Sequence, residues 1–81
     1  MYLIYGKPDC KYCIAAKDIL LSKNKEFKYF SLGVDYTREE LIEKCSPVLP
    51  RTVPQVFLLQ DDKELYIGGF DDLQGVLSTE V

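Results

Sequence analysis

The sequence predicts an α/β fold. It is a four-stranded mixed sheet in the order βαβαββα, with helices on both faces. Three observations carry this. Apolar runs of strand length open the chain and recur later. The segments between them space apolar residues as a helix does. Only a short polar turn separates the last two strand-like runs, which makes them an antiparallel hairpin.

Tyr2 to Tyr5 are apolar and aromatic throughout, as in a strand buried on both faces. Gly6-Lys7-Pro8-Asp9 breaks that run. From about Lys11 to Asn24 the pattern is helical. Cys13, Ala16 and Leu20 share one face, while Lys11, Lys17, Asp18 and Lys23 can meet water. Phe27 to Leu32 reads as a second strand. The first β-α-β should then be a right-handed crossover between parallel strands. Thr37-Arg38-Glu39-Glu40 is a capping box opening a short helix to about Cys45, with Leu41, Ile42 and Cys45 on one face. Ser46-Pro47 and Leu49-Pro50 end that helix. Pro54 to Leu59 is a third strand, Gln60 to Lys63 a turn and Glu64 to Ile67 a fourth strand. Gly68-Gly69 is a break, and Phe70 to about Ser78 a last helix.

The chain has 81 residues, so residues 1–81 are expected to form a single domain. Its net charge of −3 argues against a general nucleic-acid binder. No apolar run approaches the ~18 residues of a membrane span. No signal peptide is visible at the N-terminus. Histidine is absent, which removes His-based triads, His general bases and His-ligated metals. Three cysteines alone do not make a four-ligand zinc site, so no metal is expected. An odd cysteine count suits a reducing, cytoplasmic setting better than a disulfide scaffold.

Cys10 and Cys13 form a C-x-x-C between the first strand and the first helix, the context a redox dithiol requires. A thiolate, not a thiol, attacks a disulfide. At a pKa of about 8.5 only ~3% of a free cysteine is ionised at pH 7. The helix start should raise that fraction for Cys10, with Lys7 and Lys11 adding positive charge. Asp9 opposes them unless it caps the helix or faces solvent. Cys13, one turn further in and more buried, should wait as a thiol and resolve the mixed disulfide formed on Cys10. Cys45 reads as a small buried residue, with a regulatory or dimer-forming thiol as the alternative.

Three blocks resemble the glutaredoxin family: Cys10-Lys11-Tyr12-Cys13, then Thr52-Val53-Pro54-Gln55-Val56-Phe57, then Ile67-Gly68-Gly69-Phe70-Asp71-Asp72-Leu73. The resemblance covers nearly the whole chain and implies a thioredoxin-like fold. It implies glutathione as reductant, and disulfide-containing or glutathionylated proteins as substrates. Ribonucleotide reductase is one client it suggests. By the same resemblance, Lys7 would pair with the glycine carboxylate of glutathione and Tyr12 would flank the bound sulfur. Thr52 and Val53 would offer main-chain bonds, with Pro54 in cis. Gly68-Gly69 would let the backbone approach the ligand, and Asp71 and Asp72 would meet its γ-glutamyl end. A second cation is expected, from Lys44 or Arg51. Lys11 departs from the family, since many dithiol members have proline there. The expected protein is a monomeric thiol–disulfide oxidoreductase. An iron–sulfur carrier built on Cys10 and a thioredoxin-like donor served by a reductase are the alternatives.

Overall fold

A computed structural model describes residues 1–47 and 53–79. The elements are β1 (Tyr2–Gly6), α1 (Lys11–Ser22), β2 (Phe27–Ser31), α2 (Arg38–Cys45), β3 (Gln55–Gln60), β4 (Lys63–Gly68) and α3 (Phe70–Thr79). This is the expected βαβαββα order. The strands lie as β2-β1-β3-β4. β1 runs parallel to β2, with Tyr2 opposite Phe27 and Gly6 opposite Ser31. It runs antiparallel to β3, which is antiparallel to β4.

Central β1 is buried at all five residues and feeds both cores. Tyr2 and Ile4 pack with Ala16 and Leu20 of α1, Val56 of β3, and Leu73 and Leu77 of α3. Leu3 and Tyr5 turn the other way, onto Tyr36, Leu41, Cys45 and Phe57. Two helices therefore cover one face and α2 the other, as alternation along a strand requires. The α1 stripe expected from the sequence is the one buried: Cys13, Ala16 and Leu20 are each 0% exposed.

Element ends differ from expectation by a residue or two. α1 stops at Ser22, because Asn24 takes a left-handed φ of 57° that no α-helix accommodates. β1 runs on to Gly6 and β4 to Gly68, while Pro54, with no amide to donate, stands just outside β3. Asp61 and Asp62 both have positive φ, 53° and 64°, the two-residue hairpin geometry matched to strand twist. The proline pair Leu49-Pro50 lies outside the described residues. Ser46 is the C-cap of α2.

The capping box is complete. The Glu40 amide donates to Thr37 Oγ1 at 3.2 Å and the Thr37 amide to Glu40 Oε1 at 2.9 Å. Thr37→Ala should cost about 1 kcal/mol of stability, read as a lower urea midpoint. An unchanged midpoint would mean the box adds nothing.

Candidate active site

The sheet topology builds the site. β1, β2 and β4 end, and β3 begins, on one edge. The segments after β2, β1 and β4 and before β3 therefore meet there, side by side. They line one groove of about 850 Å³. Lys7, Asp9, Cys10, Lys11 and Tyr12 enter from the β1–α1 connection, and Val53 and Pro54 from the segment before β3. Gly69, Phe70, Asp71 and Asp72 enter from the start of α3, and Leu32, Tyr36, Arg38 and Leu41 from the β2–α2 side.

Cys10 is the N-cap residue of α1. Its sulfur accepts the Cys13 amide at 3.2 Å and lies 3.8 Å from the Val53 carbonyl. Cys10 and Cys13 are joined as a disulfide, with Cα atoms 5.1 Å apart. Cys10 is 7% exposed and lines the groove, whereas Cys13 is fully buried. Only the first sulfur is within reach of an incoming disulfide. Asp9 does not cap the helix, because Cys10 holds that position. It is exposed, in a left-handed turn with φ 58°.

The Val53–Pro54 peptide is cis, as the resemblance implied. Thr52 and Arg51 lie outside the described residues. Tyr12 is 58% exposed, with its ring 6.1 Å from that of Phe70. The Gly69 amide is taken by Asp72 Oδ2 at 3.1 Å, so Asp72 closes the start of α3 while Asp71 stays exposed. Gly68 has φ +125°, and a β-carbon there would run into the Asp72 carboxylate. That glycine serves the α3 start as much as any ligand.

Lys44 is not in the groove. Its ammonium holds Glu64 at 2.8 and 2.9 Å and sits over the rings of Tyr5 and Phe57. Burial opposes its charge, but the bonds to Glu64 and Tyr5 outweigh burial and hold its pKa above the ordinary value. Among the described residues, the cation that joins Lys7 and Lys11 in the groove is Arg38, which was not among the expected candidates. Its signal was present: the capping box makes Arg38 the first residue of α2, and parallel β1 and β2 must deliver that helix start to the Cys10 edge.

A family model described as Glutaredoxin matches residues 3–63. The chain belongs to the glutaredoxin family. It is 41% identical over 71 residues to Glutaredoxin 3 of Escherichia coli (strain K12), covering 86% of this chain and 77% of that protein. The structure of reduced Escherichia coli glutaredoxin matches with a TM-score of 0.72 and 30% identity, covering 95% of this chain and 92% of that one. A buckwheat glutaredoxin–glutathione complex shares the fold, with a TM-score of 0.76 and 21% identity over 95% of this chain and 67% of that one. As a glutaredoxin with a thioredoxin-like fold, the chain is a thiol–disulfide oxidoreductase. Among the described residues, no helix is long and apolar enough to cross a membrane.

Tyr36 is buried and lines the groove from the β2–α2 side. Burial, then the nearby Tyr29, Tyr5 and Cys45, push its phenol from 10.0 up to about 12. Unfolded, it ionises near the lower value. The folded state's advantage is intact below pH 10 and vanishes as pH climbs towards 12. Denaturant unfolding across that range should show falling stability, and Tyr36→Phe should flatten the fall. Equal slopes would acquit Tyr36.

Proposed function

We propose that this glutaredoxin reduces protein disulfides and glutathione mixed disulfides, with glutathione as reductant. The observation that carries it is the Cys13 amide aimed at the Cys10 sulfur at the start of α1. A backbone amide there, together with the helix dipole, favours a thiolate over a thiol.

The Cys10 thiolate attacks one sulfur of the substrate. A Cys10–substrate disulfide forms and the other substrate sulfur leaves as a thiol. The Cys13 thiol then loses its proton and attacks Cys10. The Cys10–Cys13 bond closes as the second substrate sulfur departs, so the substrate gains two electrons and the protein pair loses two. Two glutathione molecules restore the dithiol and leave as glutathione disulfide.

The groove's charges support glutathione. Arg38 stands at the β2 end of the edge, Lys7 after β1, and Asp71 after β4. Strands ~4.8 Å apart put the outer two ends about 14 Å from one another. An extended tripeptide covers about 10 Å, and long side chains close the difference. Cations on one side suit a glycine carboxylate, and Asp71 suits the γ-glutamyl ammonium. Tyr12 flanks the sulfur, while Val53, Pro54 and Gly69 supply backbone surface. Thr52 belongs to the same reading through the family resemblance alone. Asp72 acts mainly by holding the Gly69 amide. The buckwheat complex, a glutaredoxin of the same fold holding glutathione, agrees with this reading. The clients are disulfide-containing or glutathionylated proteins in a reducing, cytoplasmic compartment, ribonucleotide reductase among those the resemblance suggests.

Cys10→Ser should abolish turnover. Cys13→Ser should spare removal of glutathione from a glutathionylated protein and lose reduction of a protein disulfide. Equal loss in both variants on the glutathionylated substrate would contradict these roles. Arg38→Ala should raise KM for glutathione about threefold to tenfold, the worth of one partly exposed charge pair, while Lys44→Ala should leave it in place. A steady-state series in glutathione decides, and the reverse ranking would unseat Arg38.

A further inference from the structure

Two phenols hold the end of β1 from opposite faces of the sheet. Tyr29 of β2 packs on the α1–α3 side, and its hydroxyl donates to the Lys7 carbonyl at 3.0 Å. Tyr36 is buried on the α2 side, and its hydroxyl donates to the Gly6 carbonyl at 2.7 Å. That carbonyl also accepts the Leu32 amide at 2.8 Å. The two acceptors are consecutive carbonyls of the segment that leads into Cys10.

Gly6 ties Tyr29 to the second cysteine. A β-carbon on Gly6 would stand 2.5 Å from the Tyr29 hydroxyl oxygen and 2.9 Å from Cys13 Sγ. Phenol oxygen and sulfur therefore both border the space that only a bare glycine leaves at position 6. The Tyr29 ring is also steadied by the Lys17 ammonium, 5.9 Å from its centroid and one turn beyond Cys13 on α1. A single side chain thus bonds the loop that carries Cys10 and shares with the Cys13 sulfur the space over Gly6.

We propose that Tyr29, backed by Tyr36, is a positioning residue for the dithiol. It fixes the Cys10 loop against the α1 turn that carries Cys13, so that one sulfur is presented to the other. The inference rests on Cys10 and Cys13 being the redox pair. Pre-placed sulfurs close a disulfide at less entropic cost, and so raise the effective concentration of each for the other.

The equilibrium with dithiothreitol measures this without glutathione. The reagent's two thiols give up two protons and two electrons and close on each other. The Cys10–Cys13 bond breaks, and both protein sulfurs emerge as thiols. A residue that supports the oxidised and reduced forms equally shifts the melting temperature but cancels from this equilibrium. A residue that pre-places the sulfurs does not cancel.

The experiment equilibrates the full chain with graded dithiothreitol mixtures, traps free thiols and reads the oxidised fraction by mass. Tyr29→Phe keeps the ring and loses only the hydroxyl. It should weaken disulfide formation at least about threefold, equivalent to a potential ~14 mV more oxidising. Tyr36→Phe leaves the space beside Cys13 untouched and should shift the same way, about twofold. Tyr66→Phe removes a phenol bonded instead to Gln55 Oε1 at 2.6 Å and should leave the equilibrium in place. Both clamp variants within about 1.5-fold of the unsubstituted protein, or an equal shift in Tyr66→Phe, would overturn the proposal. Failure of the underlying redox pair would appear elsewhere, as the absence of any reversible transition in the unsubstituted protein, and would overturn both.

Discussion

The proposed mechanism asks the Cys10 sulfur to carry negative charge, and such a sulfur needs a donor that cannot swing away. At the start of α1 that donor is the Cys13 backbone amide, 3.2 Å from Cys10 Sγ. Lysines can help, but both Lys7 and Lys11 are exposed, and water and salt weaken what they contribute. An amide inside a hydrogen-bonded helix keeps its aim. The spacing of the two cysteines follows from the same fact: the residue that supplies the amide three positions on also supplies the second sulfur. Any shift of α1 against β1 would spoil both at once. The buried stripe of Cys13, Ala16 and Leu20 beneath the helix is therefore part of the chemistry as well as of the core.

The groove is a consequence of strand direction. Parallel β1 and β2, with β4 running the same way, send three chain segments out of one edge, and antiparallel β3 enters there. No one segment needs to contain a binding site. The first brings Cys10 and Lys7, the second Arg38, the third Asp71, and the entering chain brings the cis Val53–Pro54 peptide. Backbone geometry at α3 is fixed internally, since Asp72 takes the Gly69 amide and fills the space a side chain on Gly68 would need.

Local periodicity made the elements readable. The α1 stripe, the Thr37 box and the all-apolar Tyr2–Tyr5 run each encode their own surroundings within a few residues. The ends were less readable, because Asn24 terminates α1 by taking a left-handed conformation that other residues also adopt on occasion. The site was legible where a motif was contiguous, as at Cys10–Cys13. Arg38 was legible only by combining the Thr37 box with the parallel pairing of β1 and β2, since a whole crossover separates it from Cys10. Lys44 drew attention because of its place in the chain before Pro54. Its partner, Glu64, lies 20 residues further on, and nothing local announces that pair.

Cys45 shows why counting cysteines does not find a redox centre. It is 2% exposed at the C-terminal end of α2, packed with Leu41 and Phe57. Burial pushes its thiol above the ordinary value, and the neighbouring Lys44 ammonium only partly offsets this. Lys44 is already committed to Glu64, so the charge nearest this sulfur is largely spent. Cys10 has the opposite surroundings: an opening onto the groove and an amide trained on its sulfur. The same side chain thus has its ionised form disfavoured by burial in one place and an amide donor beside it in the other. The difference lies in which backbone groups the fold leaves unpaired beside it, which at Cys10 is the first turn of a helix and at Cys45 the last.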